Sequence, residues 1–332
     1  MFSLRTGILM GLVVALVSGC GGGGQVITAS DALVANGELV RFAPRGVTGR
    51  IAITGSSTVY PLTLRMAREF RSAGSQAEIG VGVTGTGAGF RAFCGGAPVD
   101  LVNASRAITE SETAACRAVG REPVGFQIGI DALAVVVPQS NTFLTALSFA
   151  QLKQIFSGAV RTWAELDPRY PPVAIAIFSP GVDSGTFDFF VDHVLGGDDQ
   201  GLRAVPGIVT SEDDKVLLDG IVANPYAIGY FGYAYYKAEP GKLRALTIDG
   251  GSGPVAPTQA TAQSGSYPLA RPLFIYSSQE ILRAKPQVAA FVSYYLQFAD
   301  LQIDDVGYFT AARTTTEQAK ADLVALLQQS SV

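Results

Sequence analysis

The sequence predicts an α/β fold with mainly parallel sheets, and three observations support this prediction. Strand-like and helix-like segments alternate along the chain, as is typical of parallel sheets covered by helices. The nearly continuous apolar run from Ile128 to Val137 is the pattern of a strand buried on both faces. The 332 residues, 48% of them hydrophobic, are enough to form two lobes, each with its own core.

The first part of the folded body predicts three strands with helices between them. The strands are expected at residues 50–54, 79–83 and 100–104, and further helices begin near Phe90 and at Ser111. Apolar residues recur at helical spacing after the first strand, so one helix face is expected to be buried. The residues on that face are Val59, Leu62, Met66 and Phe70.

The remainder continues the alternation from the long apolar strand onward. Ser148 is placed to cap a helix, and a second helix is expected to begin at Ser184. Strands are expected at residues 128–137, 173–178, 227–236 and 273–276, and the last two helices at residues 285–298 and 315–327.

Three turns, far apart in the chain, place glycine and hydroxyl residues at the starts of predicted helices. They are Gly55–Thr58, Gly85–Gly89 and Asp183–Thr186. A helix start presents unpaired N–H groups and the positive end of the helix dipole, and glycine lets a ligand approach the backbone. One such turn is common, but three together predict convergence on a single small anion.

The charge distribution excludes one large class of anionic partner. Charged residues make up only 16% of the chain, and the formal net charge is −4. No basic run could follow a phosphodiester backbone, so a nucleic-acid partner is not expected. A small anion would then depend on local dipoles and a buried cation.

The N-terminus has the pattern of an export signal. Arg5 precedes the short apolar run from Ile8 to Val17, which is followed by Ser18-Gly19-Cys20. This arrangement resembles a bacterial lipobox, so residues 1–20 are interpreted as a lipoprotein signal and Cys20 as the lipidated residue. An ordinary signal peptide with an incidental cysteine is the alternative. Residues 21–45 are glycine-rich and then irregular, which predicts a flexible tether.

Two cysteines remain after Cys20, and an exported protein matures where thiols are oxidised. We therefore predict a disulfide between Cys94 and Cys116, which would contribute about 3 kcal/mol to stability. Two separate buried thiols are the alternative. The cysteine spacing fits no zinc motif and the chain has a single histidine, so no metal or cofactor is expected.

An ordered series of short motifs resembles a known family, the phosphate-binding protein of the high-affinity phosphate ABC transporter. The resemblance covers about residues 48–310, and each motif is weak alone. The motifs are Gly55–Leu62, Gly85–Phe90, Asn103–Arg106, Leu147–Leu166, Asp183–Asp188, Ser211–Asp214 and Gly229–Tyr236.

The resemblance implies a two-lobed, type II periplasmic binding protein fold that closes over its ligand about a hinge. Its two sheets would be mixed but mainly parallel. The implied first lobe combines residues 46–128 with 231–332, and the second lobe spans residues 129–230. The implied ligand residues are Ser57, Thr58, Thr86, Ser184, Gly185 and Thr186.

The chain departs from the enterobacterial members of the family at two positions. Arg106 stands where they have an acid, and Pro180 stands where they have an arginine. These two differences imply that the cation has moved from one lobe to the other. Arg106 is then expected to be a bidentate clamp, and Asp183 the acid that accepts the phosphate proton and repels sulfate. Alternatively, Asp183 only caps its helix, Arg106 pairs with Glu110 at the surface, and Thr86 only shapes its turn. Asp188 either reaches Arg106 or faces solvent.

The function expected from this resemblance is capture of inorganic phosphate by an extracytoplasmic, membrane-anchored lipoprotein that serves an ABC-transporter permease. A monomer without enzymatic activity is expected. Binding or sensing of sulfate, arsenate or molybdate is the first alternative, and a structural lipoprotein without the site is another. A phosphate ester hydrolase is disfavoured, since the sequence offers neither clustered metal ligands nor a nucleophile with a base.

Overall fold

The computed structural model describes residues 33–35, 38–40, 44–182 and 184–329. The predicted signal segment, Cys20 and Asp183 lie outside the described residues. Within these ranges, no helix is both long and apolar enough to cross a bilayer.

The first elements follow the predicted alternation and end in the longest strand. All four apolar residues predicted for one face of the first helix are fully buried. The elements are β1 (Val34–Ala35), β2 (Glu38–Leu39), β3 (Arg50–Gly55), α1 (Tyr60–Ser72), β4 (Glu78–Val81), α2 (Thr86–Cys94), β5 (Leu101–Ala104), α3 (Glu110–Ala118) and β6 (Pro123–Pro138).

The middle of the chain forms a second series of strands and helices. Ser148 caps its helix as predicted, since its hydroxyl accepts a hydrogen bond from Gln151 N at 3.2 Å. The elements are β7 (Ala146–Ser148), α4 (Phe149–Phe156), α5 (Trp163–Leu166), β8 (Ala176–Pro180), α6 (Gly185–Phe190), α7 (Asp199–Arg203), β9 (Val209–Ser211), α8 (Asp214–Ala223), β10 (Ala227–Gly232) and α9 (Tyr233–Ala238). A π-helical turn, Val191–Leu195, continues α6.

One expectation for this middle region is corrected by the structure. The aromatic run 227–236 is not one strand, because the chain leaves β10 after Gly232 and turns into the short helix α9.

The last part of the chain contributes strands and helices to both halves of the molecule. Its elements are β11 (Leu243–Ala245), β12 (Thr247–Asp249), β13 (Pro254–Val255), α10 (Gln259–Gln263), β14 (Ala270–Ser278), α11 (Gln279–Ala284), α12 (Pro286–Phe298), α13 (Ile303–Val306) and α14 (Arg313–Gln328).

Within the described ranges, nine strands form one mixed sheet in the order β4-β3-β5-β14-β6-β10-β8-β9, with β11 also paired to β6. The outer pairs are parallel, whereas β14 and β6 pair antiparallel. Residues 123–132 of β6 pair with β14, and residues 133–136 pair with β10. The strand β6 therefore runs through both of the sheets that the sequence predicts and joins them.

The apolar residues form two main cores on either side of this junction. The first core draws on residues 33–128 and 273–327, and the second on residues 130–269 together with Phe309. The second change of core thus falls near residue 270, whereas the family resemblance implies a second change of lobe at residue 231. The difference arises because β11 pairs with β6 and β12 pairs with β7. Leu246 and Ile248 therefore lie in the second core, and Leu243 lies in a smaller cluster with Ala134 and Phe178.

The start of the described chain belongs to the first core. Leu33 is buried there, and β1 pairs with β2 as a small ribbon within the segment predicted to be a tether. The predicted disulfide is present: Cys94 at the end of α2 is bonded to Cys116 in α3. It links the two helices that flank β5.

Candidate anion-binding site

The first of the three glycine and hydroxyl turns follows β3. Gly55 has a φ of +127°, and a Cβ there would lie 2.2 Å from the carbonyl oxygen of Asn103, so only glycine fits. Ser56 N donates to the same carbonyl oxygen at 2.9 Å. This close approach to β5 fixes Ser56 and Thr58, both buried, at the start of α1.

The second turn follows β4 and leads into α2. Gly85 has a φ of +80°, and α2 begins at Thr86. The Thr86 hydroxyl accepts a hydrogen bond from Ser105 N at 3.2 Å and lies 3.2 Å from the Ser105 hydroxyl. Thr86 therefore ties its turn to the end of β5.

The third turn lies in the second half of the molecule but touches the first turn. The Ser184 hydroxyl accepts a hydrogen bond from Thr186 N at 3.2 Å, so Ser184 caps α6. A Cβ on Gly185 would lie 2.3 Å from Thr58 Oγ1 and 3.0 Å from Ser57 Oγ. The two halves are thus in direct contact at Gly185.

Two cavities lie on either side of this contact, and they divide the predicted ligand residues between them. The arginine cavity, about 320 Å³, is bordered by Ser56, Ser57, Thr58, Gly85, Thr86, Gly87, Ser105, Arg106, Gly185, Asp188, Phe189, Asp192, His193 and Arg271. The tyrosine cavity, about 210 Å³, includes Ser57, Thr58, Asp131, Ser184, Gly185, Thr186, Asp214, Tyr235 and Tyr308. A third and larger depression of about 590 Å³, beside Gly181, contains none of those predicted ligand residues that the structure describes.

The structure therefore brings most of the predicted set together but not around one cavity. Thr86 and Arg106 border the arginine cavity, whereas Ser184 and Thr186 border the tyrosine cavity. Ser57, Thr58 and Gly185 border both cavities.

Arg106 is engaged by an acid, although not by the one considered in the sequence. Its Nη1 and Nη2 donate to the two carboxylate oxygens of Glu112, each at 2.8 Å, and Nη1 also donates to Ala107 O at 3.0 Å. The pairing with Glu112 raises the pKa of Arg106 above its usual value. The Arg106 side chain is 43% exposed, so the pair contributes little to stability.

Arg271, on β14, is a cation at this site that the sequence analysis did not identify. Its side chain is 9% exposed and forms an ion pair with Asp131 on β6, which is 2% exposed, at 3.0 Å. The guanidinium carbon also lies 4.3 Å from the centre of the Phe189 ring. Arg271 is therefore a buried, fixed positive charge at the edge of the arginine cavity.

Two carboxylates on one helical segment also face the arginine cavity. Asp188 lies on α6 and Asp192 follows on the π-helical turn, with His193 beside it. Burial, together with the charge of Asp192, raises the pKa of Asp188, and Arg271 opposes this shift. His193 packs edge-on against Phe189, with ring centres 4.1 Å apart. In the described part of the chain, no group of three or more His, Cys, Asp or Glu side chains is arranged to hold a metal ion.

Asp214 borders the tyrosine cavity, and we expect its ionisation to lower the stability of the folded protein. Burial, with repulsion from Asp213 and Glu212, raises its pKa to about 6 from an ordinary value of 3.8. The folded protein holds this extra proton between about pH 4 and pH 6, so stability falls as pH rises through that range. We expect Asp214→Asn to raise the free energy of unfolding at pH 7.5 by about 1 kcal/mol, a figure reduced to allow for partial exposure.

Urea unfolding of both proteins at two pH values checks this expectation. The gain should shrink as pH falls and disappear near pH 3, below both the folded and the unfolded pKa of Asp214, where both states of the wild type are largely protonated at this position. An equal gain at both pH values would mean that the ionisation of Asp214 is not its cause.

Comparisons with known proteins agree with this architecture. Residues 42–297 match the PBP superfamily domain. The chain is 37% identical over 270 residues to the protein SphX of Synechocystis, covering 80% of this chain and 79% of that protein. It is 31% identical over 310 residues to the phosphate-binding protein PstS of Staphylococcus saprophyticus, covering 92% of this chain and 90% of that protein.

Solved structures give the same result. A crystal structure described as a possible phosphate binding protein of Planctomyces limnophilus superposes with a TM-score of 0.78 at 35% identity, covering 85% of this chain and all of that one. An ABC-type phosphate transport receptor of Vibrio cholerae shares the fold, with a TM-score of 0.64 at 23% identity over 79% of this chain and 99% of that one. The chain therefore belongs to the PBP superfamily of two-lobed binding proteins, in the family that includes SphX and the phosphate-binding protein PstS.

Proposed function

We propose that the protein captures inorganic phosphate in the arginine cavity and delivers it to an ABC-transporter permease. The observation that carries this proposal is the cavity itself, where two helix-start turns, Ser56–Thr58 and Gly85–Gly87, meet two arginines. Helix N-termini and guanidinium groups are the donors that best match a tetrahedral oxyanion. The name of the PstS relative, a phosphate-binding protein, supports phosphate as the ligand.

The proposed binding mechanism is closure of two lobes over the anion. We place the first lobe at residues 46–128 with about 271–329 and the second at residues 129–270, as supported by the two cores. The hinge is then formed by β6 and the start of β14. Closure excludes water, which strengthens each hydrogen bond to the anion and makes an unpaired polar group costly.

Selection between phosphate and sulfate is assigned to Asp183. Phosphate at neutral pH keeps a proton that a carboxylate can accept, whereas fully ionised sulfate offers none and is repelled. This role is supported by the position of Asp183 directly before Ser184, at the turn that touches Thr58. Asp188, on the next turn of the same segment, is a carboxylate that borders the arginine cavity.

The proposed setting is the outer face of a cell membrane or the periplasm. Residues 1–20 direct export, Cys20 carries the lipid anchor, and the segment from residue 21 links the anchor to the first lobe. The protein acts as a monomer that contacts the permease only to release its cargo, and it carries out no catalysis.

Titration calorimetry with phosphate, sulfate and arsenate tests this function directly. We expect phosphate to bind with micromolar affinity or better, about −8 kcal/mol or more favourable, and sulfate to bind far more weakly. Asp183→Asn is expected to gain sulfate binding, because an amide donates where the carboxylate repels. Gain of sulfate binding in Asp188→Asn instead would transfer the selecting role to Asp188. Preference of the wild type for sulfate, or no binding of any of these oxyanions, would contradict the proposed function.

A further inference from the structure

We infer that Arg271, rather than Arg106, is the cation that binds the anion, and that its side chain links binding to the contact between the two halves. This inference rests on the proposed function, because it names the residue that holds the proposed ligand. It follows from which guanidinium nitrogens are already occupied, how deeply each arginine is buried, and which residues Arg271 joins.

One edge of the Arg271 guanidinium is occupied by protein groups. Its Nε and Nη2 lie 3.1 Å and 3.0 Å from Oδ2 of Asp131. Nη2 also donates to Thr58 Oγ1 at 2.6 Å and to the carbonyl oxygen of Gly185 at 2.8 Å. These contacts fix the orientation of the side chain before any ligand arrives.

The other edge is left for a ligand. No group in the described residues accepts a hydrogen bond from Nη1 of Arg271, although Arg271 borders the arginine cavity. Nη1 is not fully enclosed either. Among the described residues, Asn103 Nδ2 is the single side-chain nitrogen or oxygen that is fully enclosed and has no hydrogen-bond partner. Two N–H donors on a buried cation thus remain accessible from the cavity. An oxyanion that accepts from them completes the hydrogen bonding of the guanidinium at little entropic cost.

Arg106 offers less to a ligand in the same cavity. Both of its terminal nitrogens already donate to Glu112, and the side chain is 43% exposed. An anion that keeps this bidentate pair intact has only the remaining N–H groups of Arg106 to use, and there it must compete with water. Both N–H groups of Arg271 Nη1 are without a protein acceptor among the described residues and the side chain is far less exposed, so we assign the larger share of the binding energy to Arg271.

The same side chain connects the two halves of the molecule. Arg271 bonds to Thr58, in the turn after β3 in the first half, and to Gly185, which begins α6 in the second half. Asp131 lies on β6, the strand that joins the two halves. An anion held by Nη1 therefore stabilises a guanidinium that bonds to both sides of the cleft, which favours the closed arrangement.

Phosphate titration of matched variants tests this inference. We expect Arg271→Gln to weaken phosphate binding by about 100-fold or more, and Arg106→Gln by less than about 10-fold. Arg271→Gln leaves Asp131 buried without a partner and can destabilise the fold. The double variant Arg271→Gln with Asp131→Asn removes both charges and is expected to fold while binding as weakly as the single variant. Circular dichroism and thermal melting verify that each variant is folded.

The possible failures are distinguishable. If the wild type binds phosphate and the folded double variant binds within about threefold of it, the role of Arg271 is contradicted while the proposed function stands. A greater loss in Arg106→Gln than in Arg271→Gln would likewise contradict the assignment. A wild type that binds no oxyanion contradicts the proposed function and this inference together.

Discussion

Gly185→Ala is expected to weaken phosphate binding by more than about 100-fold while the unliganded protein remains folded. The added Cβ would lie 2.3 Å from Thr58 Oγ1 and 3.1 Å from Thr58 N, and the second of these is a backbone atom that cannot rotate away. The two turns must therefore separate, which opens the cleft and removes the shared contacts of Arg271. Alanine is well accepted at the first position of a helix, so the local structure of α6 should persist.

Calorimetric titration, with thermal melting alongside, measures this effect. Gly232→Ala is a matched control, because Gly232 also borders the tyrosine cavity but a Cβ there meets nothing within 4 Å. The control should bind phosphate as the wild type does. If Gly185→Ala also binds within about threefold of the wild type, closure through this contact is not needed for binding.

Removing the disulfide is expected to lower the free energy of unfolding by about 3 kcal/mol in the double variant Cys94→Ala with Cys116→Ala. Both cysteines are buried, and the bond closes a loop with a sequence separation of 22 residues. Because the bond restricts the unfolded chain and ties α2 to α3, its loss favours the unfolded state. Alanine avoids burying a new hydroxyl group in the first core.

Urea unfolding with and without a thiol reductant checks this expectation. The wild type should become as unstable as the double variant once reduced, and the double variant should not respond to the reductant. A double variant with the wild-type unfolding midpoint would show that the cross-link adds no stability.

Local patterns in the sequence predict much of the fold because each depends on neighbouring residues. The buried face of α1 and the cap at Ser148 follow from helical spacing and from a hydroxyl side chain at the right position. The continuous apolar run around Val135 predicts the central strand β6. Local patterns do not show which distant strands pair with each other. The return of β11 to β6, which keeps residues 243–245 in the second half of the molecule, is a contact across more than a hundred residues.

Local patterns likewise predict only part of the candidate site. Glycine and hydroxyl composition identifies Ser57, Thr58 and Gly185, because a helix start is a local feature. Local patterns do not identify Arg271, because no motif surrounds it and its partner Asp131 is 140 residues away in the sequence. One indication is nevertheless present in the sequence. Asp131 is an isolated charge within the apolar strand predicted at residues 128–137, and Arg271 stands two residues before the strand predicted at residues 273–276. A charge buried in such a segment is tolerated only when it is paired.

A crystal structure of the protein grown with phosphate tests the central claim most directly. We expect the anion in the arginine cavity, within hydrogen-bond distance of Arg271 Nη1, Thr58 and the N–H groups of the Gly85–Gly87 turn. Anion density in the tyrosine cavity instead, against Ser184 and Thr186 and away from Arg271, would contradict it.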